Sequence, residues 1–341
     1  MKYLYLILLV PFFTSASTFP ECLTSKFDNN INSEKINAHG GYIVQSNSKY
    51  YWFGEIKGSG SEGNKSHTGV SVYSSTDLCH WQDDGIAYSV KQNDNAIYLE
   101  RPKVIYNKKN NNYVMWFHID FKKGYSGDSY ARLGVATSQK IEGPYEFKYS
   151  FRPNANSTIL NGDFDYKEKS KFNKEIINGF DSRDFTLFKD SDNRAYVIYN
   201  SESNNTLHVS ELNSNYIGLK NKYSRIIING RNEAPVIFKK NGYYYLITSR
   251  LTGWKPNAAR LFISKNINGP WELKYNPVFS NPIDVATTFQ SQLSCVFIKN
   301  NVFYFIADGW VPNNPSNSRY KILKAAFIDD DLRLLNVKSI N

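Results

Sequence analysis

Apolar residues arrive along this chain in short bursts of Val, Ile, Tyr, Phe and Trp. They are separated by Asn-Gly, Asn-Asn or Gly-Pro, and few windows carry a 3.6-residue period. The pattern predicts a protein built mostly of β-strands. A longer repeat overlies it: a polar residue, an apolar strand, a turn rich in Asn, Lys or Asp, an aromatic strand and then a third strand.

Five such units are legible. The first runs from His39-Gly40-Gly41 through Tyr42-Ile43-Val44 and a turn at Ser46-Asn47-Ser48 to Tyr50-Tyr51-Trp52-Phe53, with a third strand at Val70 to Ser74. The second opens at Glu100, the third at Asp184, the fourth at Glu233 and the fifth near Gln292. Asp77-Leu78-Cys79-His80-Trp81, Gly143-Pro144-Tyr145 and Gly269-Pro270-Trp271 each follow a third strand and precede an outer one, so each unit is a four-stranded sheet. Radial repetition about an axis is a stable way to manage the edges of such sheets, and it predicts a five-bladed β-propeller. The competing reading of the same strands is a β-sandwich. A long insertion is expected between Asp120 and Asp181, walling a pocket or lying on the surface.

Composition narrows the class. The 341 residues are 41% hydrophobic and 16% aromatic, which excludes disorder and coiled coil. Met1-Lys2, the apolar run Tyr3 to Phe13 and the small residues Thr14-Ser15-Ala16-Ser17 read as a secretory signal peptide over 1–17. A lead-in segment (18–35) and a propeller domain (36–341) follow, and the protein is expected to be secreted or periplasmic. No apolar run is long enough to span a bilayer. The formal charge of +10 is spread along the chain without a basic helix or binding motif, so nucleic acid is not an expected partner. Cys22, Cys79 and Cys295 allow one disulfide, Cys22 pairing with either of the others, and lack metal-ligand spacing. No cofactor or metal is expected. A structural Ca²⁺ is conceivable, but no ligand spacing indicates one.

Chemistry concentrates at one place in the repeat. In a propeller the inner strands all start at the same end of the channel, so the unit-opening residues His39, Glu100, Asp184, Glu233 and Gln292 should converge. Any one of them suits a solvated strand end. Three carboxylates and a carboxamide together suggest a site, because carboxylates are seldom buried without purpose. Paired carboxylates among aromatic side chains fit glycoside hydrolysis, one protonating the leaving oxygen while a second group activates water. Trp52, Trp254 and Trp310 could stack on sugar faces, though Trp52 and Trp310 equally suit packing between blades.

The wording of the strands resembles glycoside hydrolase family 43, in particular its exo-β-1,3-galactanase branch, from about Ile36 to Tyr320. The runs that carry it include Ala38-His39-Gly40-Gly41, Tyr51-Trp52-Phe53-Gly54-Glu55, Glu100-Arg101-Pro102-Lys103, Ser182-Arg183-Asp184, Glu233-Ala234-Pro235, Thr252-Gly253-Trp254-Lys255-Pro256-Asn257 and Ser291-Gln292. The resemblance implies Glu233 as general acid, Asp184 as its orienting and pKa-tuning partner, and Gln292 as holder of the attacking water. In this branch the first-blade aspartate that other members use as base is absent, and here the chain reads Ala38-His39-Gly40. Glu55 and Glu100 match positions that grip hydroxyls of the terminal galactose, with Thr252, Trp254 and Asn257 on the adjoining loop. Two departures stand out: Asp308-Gly309-Trp310, where relatives carry an arginine in the middle, and Lys321-Ile322-Leu323, where an aromatic ending is usual. The implied function is an exported, inverting, exo-acting β-1,3-galactosidase acting as a monomer on arabinogalactan-type polysaccharides or oligosaccharides. The alternatives are another family 43 activity, arabinofuranosidase or xylosidase, and a non-catalytic glycan-binding propeller.

Overall fold

The computed structural model describes residues 28–65, 69–90, 96–121, 130–329 and 331–337. The expected signal peptide and Cys22 lie outside the described residues. Among the described residues twenty-one strands form five sheets, antiparallel except for one added parallel strand. The first sheet holds β1 (His39–Ser46), β2 (Lys49–Glu55), β3 (Gly69–Ser75) and β4 (Gln82–Ser89). The second holds β5 (Ala96–Asn107), β6 (Asn112–Phe121), β7 (Arg132–Ser138) and β8 (Glu146–Phe151). A short β9 (Thr158–Asn161) precedes the third, which holds β10 (Phe185–Lys189), β11 (Ala195–Ser201), β12 (Thr206–Leu212) and β13 (Leu219–Ile226). The fourth holds β14 (Asn232–Lys240), β15 (Tyr243–Arg250), β16 (Arg260–Ser264) and β17 (Glu272–Leu273). The fifth holds β18 (Gln292–Lys299), β19 (Val302–Gly309), β20 (Arg319–Ile328) and β21 (Asp331–Asn336).

Local chemistry explains the hairpins. Between β1 and β2, β14 and β15, and β18 and β19 the turn is two residues, Asn47-Ser48, Asn241-Gly242 and Asn300-Asn301, with positive φ at both positions. That conformation matches the twist of paired strands, and Asn and Gly tolerate it best. Successive strands therefore pair with their neighbours. The sheets are joined by packing of their inner strands: β1 lies against β5 and β18, β10 against β5 and β14, and β14 against β18. This order closes a ring of five, the expected β-propeller, and the sandwich reading falls away.

Buried aromatic side chains fill the spaces between blades, as burial of large apolar surface demands. Trp52, Trp81, Ile306 and Tyr320 join the first blade to the fifth, and Phe53, Met115, Phe117 and Tyr145 join the first to the second. Trp52 is fully buried with its ring edge-on to Trp81 and Tyr320, which makes it a packing residue. The hydroxyl of Tyr320 sits 2.8 Å from the Ala38 amide and 3.2 Å from the Ile36 carbonyl, tying the last blade to the stretch that enters β1. Gly54 is required on β2, since a Cβ there would fall 2.0 Å from the backbone of Ala38.

Within the interval 120–181, β7 and β8 complete the second blade as the turn at Gly143-Pro144-Tyr145 predicts, and the insertion follows them. What remains holds β9 and helix α1 (Tyr166–Asn178), whose N-terminus is closed by a reciprocal capping box between Asp165 and Glu168. Strand β9 pairs in parallel with β13, the outer strand of the third blade, so this segment lies at the periphery rather than over the channel. Cys79 is disulfide-bonded and Cys295 is buried and free. Among the described residues no helix is long and apolar enough to cross a membrane.

Candidate active site

Three inner strands begin with the same irregularity. Register slips between His39 and Tyr42, Glu100 and Lys103, and Glu233 and Val236, with left-handed backbone at Gly40, Arg101 and Ala234. Bulges re-aim the side chain at a strand end, and here they do so at repeat-equivalent positions. The unit-opening residues converge as expected, and they are organised by a residue the sequence reading passed over.

That residue is Arg101. It is buried, its Nε lies 2.8 Å from Asp184 Oδ1, one Nη donates to Gln292 Oε1 at 2.7 Å, and the other points to the Leu293 carbonyl at 3.5 Å. One side chain from the second blade thus joins the third to the fifth. The second oxygen of Asp184 accepts from the backbone amide of Ala234 at 3.0 Å, which anchors the strand end that carries Glu233. Among the described residues no donor holds the Glu233 carboxyl. Burial, reinforced by the negative charge of Asp184, pushes its pKa up to about 8, partly opposed by Arg101 and Arg183. A carboxylic acid that keeps its proton near neutral pH beside a clamped carboxylate is suited to general acid catalysis.

A second group flanks it. Glu55 is buried, its pKa raised to about 7 chiefly by burial despite Lys57 at 3.1 Å. Lys57 also faces Glu100 at 3.8 Å, so one ammonium serves two carboxylates. Opposite Glu100 on β6, His118 is set between the Ser182 carbonyl at 2.8 Å and Asp120 at 3.4 Å. Burial works against its charge, but the bond to Asp120 prevails and its pKa rises to about 9. His39 is held differently: burial lowers its pKa despite Asp308 at 3.2 Å, and its ring stacks on Tyr320. Lys103, also buried, gives its ammonium to the Gly40 carbonyl at 2.9 Å, and burial together with Arg101 lowers its pKa to about 7.

Gln292 stands where expected, with its bonding spent differently. Its oxygen accepts from Arg101 and, at 3.1 Å, from Trp310 Nε1, while its nitrogen donates to Ser249 at 3.0 Å. Both lone pairs of its oxygen are engaged, and one N–H is left for the pocket. On the adjoining loop, Asn257 bonds both backbone polar groups of Arg250 and the hydroxyl of Thr252, which donates to the Lys255 carbonyl. These two side chains shape the loop that presents Trp254, which is 39% exposed and meets Trp310 edge-on at 5.3 Å. Among the described residues no group of His, Cys, Asp and Glu is arranged to hold a metal ion.

Arg101, Lys57, Asp308 and His118 were the omissions of the sequence reading. For Arg101 the signal was present: Glu100-Arg101-Pro102-Lys103 places two cations inside an apolar strand, where an unpaired charge is too costly to bury.

A carboxylic acid, a clamped partner carboxylate and paired indoles around a propeller axis define a glycoside hydrolase. The model of glycosyl hydrolases family 43 matches residues 35–293, and the chain belongs to that family. Among solved structures, a family 43 β-1,3-galactosidase with galactodeoxynojirimycin is 37% identical with a TM-score of 0.83, over 92% of this chain and 97% of the other. An exo-β-1,3-galactanase from Clostridium thermocellum is 31% identical with a TM-score of 0.76, over 90% of this chain and 63% of that one. One from Phanerochaete chrysosporium with β-1,3-galactotriose is 31% identical with a TM-score of 0.74, over 90% of this chain and 64% of that one. A curated β-D-galactofuranosidase from Aspergillus niger is 31% identical over 128 residues, 37% of this chain and 31% of the fungal protein.

Proposed function

We propose that the protein is an exo-acting β-1,3-galactosidase that removes terminal galactose from arabinogalactan-type chains with inversion. The observation that carries the reading is Glu233, raised to about 8 beside an Asp184 locked by Arg101 and the Ala234 amide. Relatives that align over nine-tenths of the chain and act on β-1,3-galactan support the substrate. Glu233 gives its proton to the leaving glycosidic oxygen as the C1–O bond breaks. Water then adds to the opposite face of C1, and its proton passes to solvent. Asp184 keeps Glu233 protonated and oriented. Glu55 and Glu100, sharing Lys57, bind hydroxyls of the terminal sugar, and the Trp254 loop with Thr252 and Asn257 frames it. Gln292, fixed by Arg101, Trp310 and Ser249, positions the water through its remaining N–H, supplying geometry rather than basicity. The N-terminal segment directs export, and the enzyme works as a monomer.

The test is galactose release from de-arabinosylated β-1,3-galactan, with arabinan, arabinoxylan and a galactofuranoside as controls, and NMR of the first product. α-Galactose from the galactan is expected. Release from a control alone would transfer the site to that substrate. First-formed β-galactose would mean a covalent intermediate and remove the water-positioning role of Gln292.

A further inference from the structure

A cavity of about 430 Å³ opens beside Gln292, between the Trp254 loop and the start of β20. Its walls are the indoles of Trp254 and Trp310, and its rim carries Lys255, Arg319 and Lys321. Gly309 leaves it room: a Cβ there would lie 3.4 Å from the Arg319 carbonyl and 3.6 Å from that of Gln290, so a side chain could have occupied this space. The lining holds three cations and one acid, Asp308, which is buried and occupied by His39, the Gly40 amide and Ser294. Lys321 donates to the Phe289 carbonyl. Among the described residues no carboxylate lies in ion-pair contact with Lys255 or Arg319. Asp28 accepts from the Tyr320 amide at 3.1 Å. Outside the lining, Lys35 is close enough to Arg319 for their charges to repel, an effect that Asp28 partly offsets.

We infer that this cavity is a subsite for an anionic substituent on the terminal galactosyl unit, a hexuronosyl branch or a sulfate ester. The inference rests on the galactan reading and goes beyond it in naming the branch. A concave basic surface focuses positive potential on whatever enters, and the Arg319 fork fits the paired oxygens of a carboxylate or sulfate. The indoles supply sugar-stacking faces. Because Gln292 both lines the cavity and is bonded to Arg101 at the centre, the cavity borders the place of cleavage, within reach of a substituent on the unit being cleaved.

The test is binding and turnover of β-1,3-galactan oligosaccharides whose terminal galactose carries at O6 a hydrogen, a galactosyl, a glucuronosyl or a sulfate group. Calorimetry with Glu233→Gln protein should show the glucuronosyl or sulfated ligand binding roughly three- to tenfold tighter than the galactosyl one at low salt, with the margin shrinking as salt rises. Which anion gains more identifies the natural source. Adding Lys255→Gln and Arg319→Gln should erase the margin while leaving binding of the unbranched ligand unchanged. Gly309→Val should weaken both branched ligands and spare the unbranched one. Equal binding of charged and neutral branches, or a preference that survives loss of both cations, overturns the subsite. The binding arm does not depend on hydrolysis. A charge preference without turnover of any of these oligosaccharides would therefore leave the subsite standing and refute the proposed activity.

Discussion

Two buried arginines, Arg101 at the propeller axis and Arg225 in the third blade, each gather carboxylates, and only one of them makes a reactive site. Arg225 spends its whole guanidinium: Nε and one Nη bind Glu202 at 2.6 and 2.9 Å, while both Nη groups reach Glu168 and one also reaches the Gly162 and Asp163 carbonyls. Its plane lies 3.8 Å over Phe164. His208 completes the knot at 2.8 Å from Glu202, and although burial opposes it, the bonds from His208 and Arg225 hold the Glu202 pKa at about 2. Every charge there has a partner, and the result pins β9 and α1 to the blade. Arg101 instead secures Asp184 and Gln292 and leaves the neighbouring Glu233 carboxyl without a donor, so burial raises it. Satisfaction of hydrogen bonds is structural; its deliberate omission at one carboxyl stores a proton for chemistry.

The comparison can be broken most forcefully at Glu233. Glu233→Gln should lower kcat on galactan by about 10²–10⁴-fold with an unchanged melting temperature, because an amide cannot deliver the proton. Retention of more than about a tenth of the rate would place the acid elsewhere. Arg225→Met should do the reverse, destabilising by ~3–5 kcal/mol in urea unfolding while kcat of the folded fraction stays near normal, since it strands Glu202. A collapse of kcat at full stability would tie the knot to catalysis. Gln292→Ala should reduce kcat by roughly 10–100-fold with a smaller change in KM, the signature of a group that acts on water rather than on bound sugar.

Subtler effects sharpen the contrast. In the proposed mechanism Glu233 acts as the acid, so kcat/KM should fall as pH rises through about 8. Asp184→Asn removes a like charge that raises this pKa, and in its residual activity the alkaline limb should move to lower pH by roughly one unit. A limb that stayed in place would assign the shift to burial alone. The knot predicts the opposite sign for stability. Glu202 has a folded pKa near 2 against an ordinary 4.5, so its contribution is complete above about pH 4.5 and lost as pH falls toward 2. Glu202→Gln should be less stable at neutral pH and should show a flatter fall in urea midpoint across that acid window.

The blades were legible in the chain because their physics is local. Alternation of apolar and polar residues, two-residue Asn-rich turns and pairing of successive strands all act within a few tens of residues, and the repeat then located Glu100, Asp184, Glu233 and Gln292 by equivalence alone. Ring closure decided the rest. Arg101 meets Asp184 and Gln292, the latter 191 positions away in sequence, only because the second, third and fifth blades share one axis. The same closure engaged the Gln292 oxygen, placed Trp310 at the pocket and left Trp52 in the core. Glu233 owes its high pKa to burial and to Asp184 on another blade, and among the described residues no carboxylate comes into ion-pair contact with Arg319 or Lys255. Residue type and spacing determine which groups a propeller can present. Desolvation and partnership across blades, which exist only once the chain is folded, determine which of them react.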